Sequence, residues 1–264
     1  MRLFVVDAFA SKPFVGNPAA VVFVEDFLSD KKCQQIAAEM NLSETVFVKA
    51  IADQHFHLRW FTPSVEVKLC GHATLATSHI LYEKGLACSD KAIHFDSLSG
   101  VLTAEKDKEK IVLDFPLQRT GKQLECGHFE TILKTPVINA VQAYDDIIIE
   151  LQNEKAVREL SVSPADLKEI NCRGVIITGK GTGDYDFVSR FFGSSIGMGE
   201  DPVTGSAHCK LADYWQKKLS KETFVAYQAS KRGGELFLSI RGERLKISGH
   251  AVTIIEGTLR IHEN

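Results

Sequence analysis

Along most of this chain apolar residues alternate with polar ones or run in short blocks. Residues 2–10 and 19–25 carry Leu, Phe and Val at strand spacing and predict two strands. Between them Phe14-Val15-Gly16-Asn17-Pro18 reads as a turn. Ser29 is placed to cap a helix over 30–40, with Cys33, Ile36, Ala37 and Met40 on one face. Strand patterns return at 45–50 and 54–61, a helix is expected over 71–84, and strands follow near 92–96, 101–105 and 111–115. Residues 116–126 are less apolar and read as a crossover between domains. Strands are then expected near 137–144, 147–151, 174–178 and 187–192, with short helices near 154–160 and 164–170. The spacing of Ala207, Leu211, Tyr214, Trp215 and Lys218 predicts a helix over 205–219. From 223 onward the chain reads as a meander of short strands, broken at Arg232-Gly233-Gly234 and Arg241-Gly242-Glu243. Many strands follow one another with no helix between them. That pattern implies an α+β fold with antiparallel or mixed sheet, not a doubly wound parallel one.

One internal echo is visible. Arg59-Trp60-Phe61 recurs as Arg190-Phe191-Phe192, and the helix start Gly71-His72-Ala73 recurs as Gly205-Ser206-Ala207. The offsets are 131 (190 − 59) and 134 (205 − 71), so three residues are inserted somewhere in 193–204. Two similar domains are expected, each reading strand, loop, glycine, helix. Two such helix starts facing one cleft would offer unpaired N–H groups and partial positive charge to a small anion.

Composition narrows the function. The 264 residues suffice for two domains of ordinary size. With 31 basic and 34 acidic side chains the net charge is -3, which gives no basic field for nucleic acid. None of the six cysteines forms a C-x-x-C pair, and reduced thiols in a cytosolic protein are the simplest reading. The first long apolar run, 19–24, is too short to cross a bilayer, and no signal-peptide pattern follows Met1, so no membrane partner and a cytoplasmic location are expected. No G-x-G-x-x-G or G-x-x-x-x-G-K-[ST] occurs, and no cofactor is expected.

Three segments carry candidate chemistry. Glu44 lies beside Val46 and Phe47, where a partly desolvated carboxylate could serve as general base. His72 sits at a helix start, where the helix dipole favours a neutral imidazole suited to shuttling protons. Asp201 precedes the Val203-Thr204-Gly205 turn and could hold a polar substrate group. Each also has a plain reading as a loop, cap or turn residue. Gly205 and Ser206 offer an N–H and a hydroxyl, or a simple cap, and Asn17 could line the same site or only shape a turn. His55 and His57 share a strand face, but no third ligand accompanies them and no metal is expected.

These segments resemble the PhzF-like family of phenazine biosynthesis-like proteins. The matching stretches are Asp7-Ala8-Phe9, Gly16-Asn17-Pro18-Ala19-Ala20-Val21, Glu39 to Thr45, Arg59-Trp60-Phe61-Thr62-Pro63, Cys70 to Ala76, Gly199 to His208 and Arg232 to Leu236. The resemblance implies a diaminopimelate epimerase-like fold, with two similar domains that are each a mostly antiparallel or mixed β-barrel around a central α-helix. It places the first domain at 1–116, joined by about 255–264, and the second at 117–254. It implies Glu44 as the catalytic glutamate, with His72 and Asp201 lining the site. Gly71, Gly205 and Ser206 are implied as polar contacts, and Asn17, Ser43 and Thr204 complete the candidate substrate-binding set. The expected activity is a cofactor-independent isomerase moving a proton on a small anionic metabolite in an interdomain cleft. A homodimer is common in such a family.

The related epimerases use two opposed cysteines. Here Cys70 holds the first such place, and the repeat puts Thr204 at the second, which deprives a two-thiol mechanism of its partner. An amino-acid racemase using Glu44 or Cys70, and a binding module without turnover, are the alternatives.

Overall fold

The structure is a computed structural model that describes residues 1–163, 165–193 and 199–261. Pro164, part of the expected insertion window (194–198) and the last three residues of the expected return strand (262–264) lie outside it. The chain forms two compact units, Met1–Asp114 with Ser248–Asn264, and Phe115–Ile247.

The first unit opens with β1 (Arg2–Ala8), β2 (Asn17–Val24), α1 (Asp30–Met40), β3 (Glu44–Ala52), β4 (His55–Phe61) and the two-residue β5 (Glu66–Val67). It continues with α2 (Gly71–Glu83), β6 (Ile93–Asp96), β7 (Leu102–Asp107) and β8 (Lys110–Pro116). β1 and β2 are antiparallel, whereas β2 and β3 run parallel and therefore need a crossover, which α1 supplies. Ser29 caps α1 by accepting from Lys32 N at 3.3 Å, and Cys33, Ile36 and Ala37 are buried with Val22, Phe47 and Phe61. β4 then pairs antiparallel with β3 and β5 and parallel with β6, and β7 is antiparallel to both β6 and β8.

α2 is buried on every side rather than along one stripe: Ala73, Leu75, Ala76, Ile80 and Leu81 are all buried. Its polar residues suit that setting because they bond back to their own helix. Thr74, Thr77 and Ser78 donate to Cys70 O, Ala73 O and Thr74 O at 2.6, 2.8 and 2.8 Å, so no hydroxyl is stranded.

The second unit contains α3 (Cys126–Leu133), β9 (Val137–Ala143), β10 (Asp146–Leu151), α4 (Glu154–Glu159) and a 3-10 turn at Asp166–Glu169. It goes on through β11 (Gly174–Lys180), β12 (Phe187–Phe192), β13 (Glu200–Asp201), α5 (Gly205–Leu219), β14 (Thr223–Gln228), β15 (Gly234–Arg241) and β16 (Arg244–Gly249). α3 was not expected, since the stretch that reads as a crossover ends at 126 and no element is expected between it and the strand near 137, and the expected helix near 164–170 is only the 3-10 turn. The core gathers Ile147, Ile149, Val175, Ile177, Val188 and Phe192 around Phe129 and Val157. Trp215 of α5 stacks on Phe187 with centroids 5.6 Å apart and donates from Nε1 to Thr178 at 3.1 Å.

The pairing order of the second unit repeats that of the first. β9–β10 is antiparallel, β10–β11 parallel, β11–β12 and β12–β13 antiparallel, β12–β14 parallel and β14–β15 antiparallel. Phe61 pairs with Glu66 as Phe192 pairs with Glu200. The offset rises from 131 (192 − 61) to 134 (200 − 66), so the three extra residues lie between Phe192 and Glu200.

The last strand, β17 (Ala251–Thr258), runs antiparallel to β1 from Ala8↔Ala251 to Arg2↔Thr258. The chain therefore rejoins the first unit at Ser248, earlier than the expected 255, because the whole of β17 is needed to pair β1.

Candidate active site

Glu44 is delivered to its place by a helix stop. Asn41 ends α1 in the left-handed conformation, at φ 49, with its N–H bonded to Ala37 O. Only Leu42 and Ser43 then separate the helix from β3, so Glu44 is the first strand residue, beside Ala19 of β2 and buried. Asn17 opens β2 and is fully buried. Gly16 before it has φ +72, and a Cβ there would lie 2.2 Å from Ala8 O, so only glycine fits this approach.

His72 lies in the first turn of α2 and is buried. Its Nε2 is 3.1 Å from Glu44 Oε2, an ion-pair contact poorly aligned for a regular hydrogen bond, which leaves Oε2 buried without one. Its Nδ1 is 3.3 Å from Asn17 Nδ2 and 3.5 Å from Cys70 Sγ. The Asn17 amide can turn either its oxygen or its nitrogen to the ring, as the protonation state requires. Asn17, Glu44, Cys70 and His72 are thus one buried cluster at the start of α2.

The electrostatics of this cluster correct the expectation of a neutral His72. Burial alone pushes the imidazole down, but Cys70 and Glu44 outweigh it and hold His72 well above its ordinary value. Burial and the nearby Glu44 push the Cys70 thiol up, against the pull of His72.

The candidates from the second unit form their own network. Asp201, on β13, accepts from Thr204 Oγ1 and is buried. Gln228 braces both: its Nε2 donates to Asp201 O at 2.7 Å, and its Oε1 accepts from Thr204 N at 2.8 Å. Ser206 Oγ accepts from Arg173 at 3.3 Å. Gly71 and Gly205 begin α2 and α5, and neither helix has a side-chain cap. Ser43 is half-buried next to Glu44. Sequence reasoning missed Gln228 and Arg173, which stand in no motif and are brought in by strand pairing.

Mixed sheet with two long glycine-started helices, and a buried carboxylate against an imidazole, define an α+β protein with a candidate acid–base site. The chain belongs to the phenazine biosynthesis-like (PhzC-PhzF) family, whose profile matches residues 6–257. An uncharacterized isomerase of Pseudomonas aeruginosa is 45% identical over 256 residues, covering 97% of each chain. A phenazine biosynthesis protein of the PhzF family from Enterococcus faecalis superposes with a TM-score of 0.94 at 39% identity, covering 98% of this chain and 99% of that one. A probable proline racemase of Agrobacterium radiobacter shares the fold, with a TM-score of 0.67 at 11% identity, covering 99% of this chain and 93% of that one. Among the described residues no helix is long and apolar enough to cross a membrane.

Proposed function

We propose that this protein is an isomerase that moves a proton between carbons of a small carboxylate metabolite, with Glu44 as the acid–base group. The observation that carries this reading is the 3.1 Å contact between the buried Glu44 carboxylate and the His72 imidazole. Glu44 accepts the proton from one substrate carbon and returns it to another. His72, held protonated, supplies the counter-charge that a carboxylate needs away from water. General acid–base assistance of this kind is worth roughly 10²–10⁴-fold in rate.

The proposal extends to substrate contacts. The uncapped start of α2 and that of α5, each within its own unit, leave the N–H groups of Gly71 and of Gly205 to anionic groups. Asp201 is proposed as a third catalytic group, and Asn17, Ser43, Thr204 and Ser206 as polar contacts. A proton shift needs no redox or group-transfer cofactor, and none is proposed. We also read each unit as a barrel wound round its long helix; the burial of α2 on every side favours this. Six free cysteines suit a reducing compartment, and the cytoplasm is the proposed location.

The test is deuterium exchange. Metabolite extracts incubated with the protein in heavy water are read by NMR for new carbon-bound deuterium. Glu44→Gln should abolish that exchange while its circular dichroism stays unchanged. Exchange at the normal rate by the folded variant removes Glu44 from the mechanism.

A further inference from the structure

Over residues 203–215 Ser206 is the one residue that is not buried, so it is the side chain that the first turn of α5 shows to a ligand. Its hydroxyl already has a donor in place. Arg173 Nη2 gives one hydrogen to Ser206 Oγ at 3.3 Å and the other to Asp146 Oδ2 at 2.5 Å. A guanidinium carries donors and no acceptor, so the direction of the first bond is fixed and Ser206 accepts. The hydroxyl proton of Ser206 must then turn away from Arg173. Among the described residues Ser206 Oγ makes no other hydrogen bond, which leaves that proton for a group outside the chain.

The surroundings hold Arg173 in this pose. Its Nε lies 3.0 Å from Asp145 Oδ2, and its guanidinium carbon stands 5.3 Å from the centre of the Phe191 ring. Lys210 lies one turn beyond Ser206 on the same face of α5 and is buried. It reaches Asp145 Oδ1 at 2.5 Å and the same Asp146 oxygen that Arg173 holds. Two cations and two carboxylates balance, so the network brings no net charge to Ser206. Buried ion pairs are weak sources of net stability, and the distinct product of this network is a guanidinium fixed in one place.

We propose that Arg173 is a positioning residue that acts through Ser206. It fills the acceptor side of the Ser206 hydroxyl and so makes Ser206 a donor to the substrate. The inference rests on the reading of Ser206 as a substrate contact, and it narrows the group met there to a carboxylate oxygen. The charged donor also polarises the hydroxyl, which strengthens the bond that Ser206 gives.

The test uses the intact protein and acetate, the simplest carboxylate probe. Isotope-labelled protein is titrated with acetate at constant ionic strength, and the amide NMR signals of Gly205 and Ser206 are followed. A saturable shift is expected in the wild type. Arg173→Lys keeps the charge but not the fork that spans Asp146 and Ser206, and it should weaken acetate binding about tenfold, the worth of one charge-assisted hydrogen bond. Ser206→Ala should weaken it equally, and the double variant no further, because Arg173 acts through Ser206. Melting temperatures measured alongside separate positioning from folding. A further loss in the double variant, or affinity unchanged by Arg173→Lys at a preserved melting temperature, overturns the positioning role. If Arg173→Lys folds poorly, Ser206→Ala keeps the proposal open to refutation, since alanine suits a helix and unchanged affinity removes the hydroxyl from the argument. Absence of a saturable wild-type shift also overturns it. No turnover is read and Glu44 takes no part, so failure of the deuterium-exchange test leaves this result standing, and the reverse holds too.

Discussion

Gly174 occupies in the second unit the strand position that Glu44 occupies in the first. Thr45 pairs with Phe61 as Val175 pairs with Phe192, and Glu44 and Gly174 are the residues just before. By the larger offset of the helix starts (204 − 70 = 134), Thr204 stands at the place of Cys70, and Ser206 at the place of His72. The first unit therefore holds a carboxylate, a thiol and an imidazole where the second holds a hydrogen atom and two hydroxyls. A racemase using the Glu44 place in both halves would need an acid where this chain has glycine, and one using the Cys70 place would need a thiol where it has Thr204. The asymmetry favours a single carboxylate that both removes and returns the proton.

The glycine at 174 is dictated by packing. A Cβ there would lie 2.4 Å from the Phe191 ring, which is itself buried. Gly174→Ala should lower stability by about 1–3 kcal/mol, the usual range for overpacking a filled core. Phe191→Leu in the same chain should recover part of the loss, and a double-mutant cycle by urea unfolding measures the coupling. Simple additivity of the two changes would mean that the ring is not the obstacle.

His72 makes stability depend on alkaline pH. Its folded value is held well above the ordinary 6.5, so the native state binds the proton more tightly than the unfolded chain. The contribution is complete below about 6.5 and is lost as pH rises through the raised value. The melting-temperature gap between wild type and His72→Gln should therefore shrink towards alkaline pH. A gap that widens there contradicts the assignment.

His208 acts in the opposite direction. It is fully buried in α5, with Nδ1 2.8 Å from Thr204 O, and burial pushes it down to about 4 against an ordinary 6.5. The unfolded chain binds the proton first as pH falls, so stability is full above about 6.5 and declines until about 4. That difference corresponds to on the order of 3 kcal/mol. His208→Gln should flatten the acid limb of a stability-against-pH curve, and an unchanged limb would assign it to other groups.

Two arginines fill equivalent places with different further partners, Arg59 reaching the exposed Asp30 Oδ1 at 2.7 Å. Arg59 grips Glu66 with two bonds of 2.8 Å, and Arg190 grips Glu200 with bonds of 2.6 and 3.0 Å. Arg190 also donates to Leu160 O at 2.6 Å, inside its own unit. Lysine keeps the charge but not the two-pronged geometry, so Arg59→Lys should cost about 1–2 kcal/mol. Arg190→Lys should cost more, because a backbone carbonyl loses its donor as well. Equal costs in urea unfolding would show that the carbonyl contact adds nothing.

Much of this was legible in the sequence for definite reasons. The strand patterns, the Ser29 cap and the glycine starts of α2 and α5 are local signals, and the echo of Arg59-Trp60-Phe61 in Arg190-Phe191-Phe192 fixed the repeat. The meeting of Glu44 with His72 could be named only through resemblance, since 28 residues separate them (72 − 44). What stayed hidden depends on contacts between distant strands. Gln228 reaches Asp201 from β14. α3 was missed because its eight residues follow a proline-led polar stretch that reads as a linker.

The placement of β17 has a consequence for biosynthesis. β1 leaves the ribosome before its neighbour β17, which is made some 250 residues later, and Leu259 N then bonds Met1 O at 2.8 Å. The second unit is one continuous stretch and can be finished earlier. The half that carries Glu44 thus closes after the other, and a premature stop before Ser248 would leave β1 with an open edge inviting aggregation.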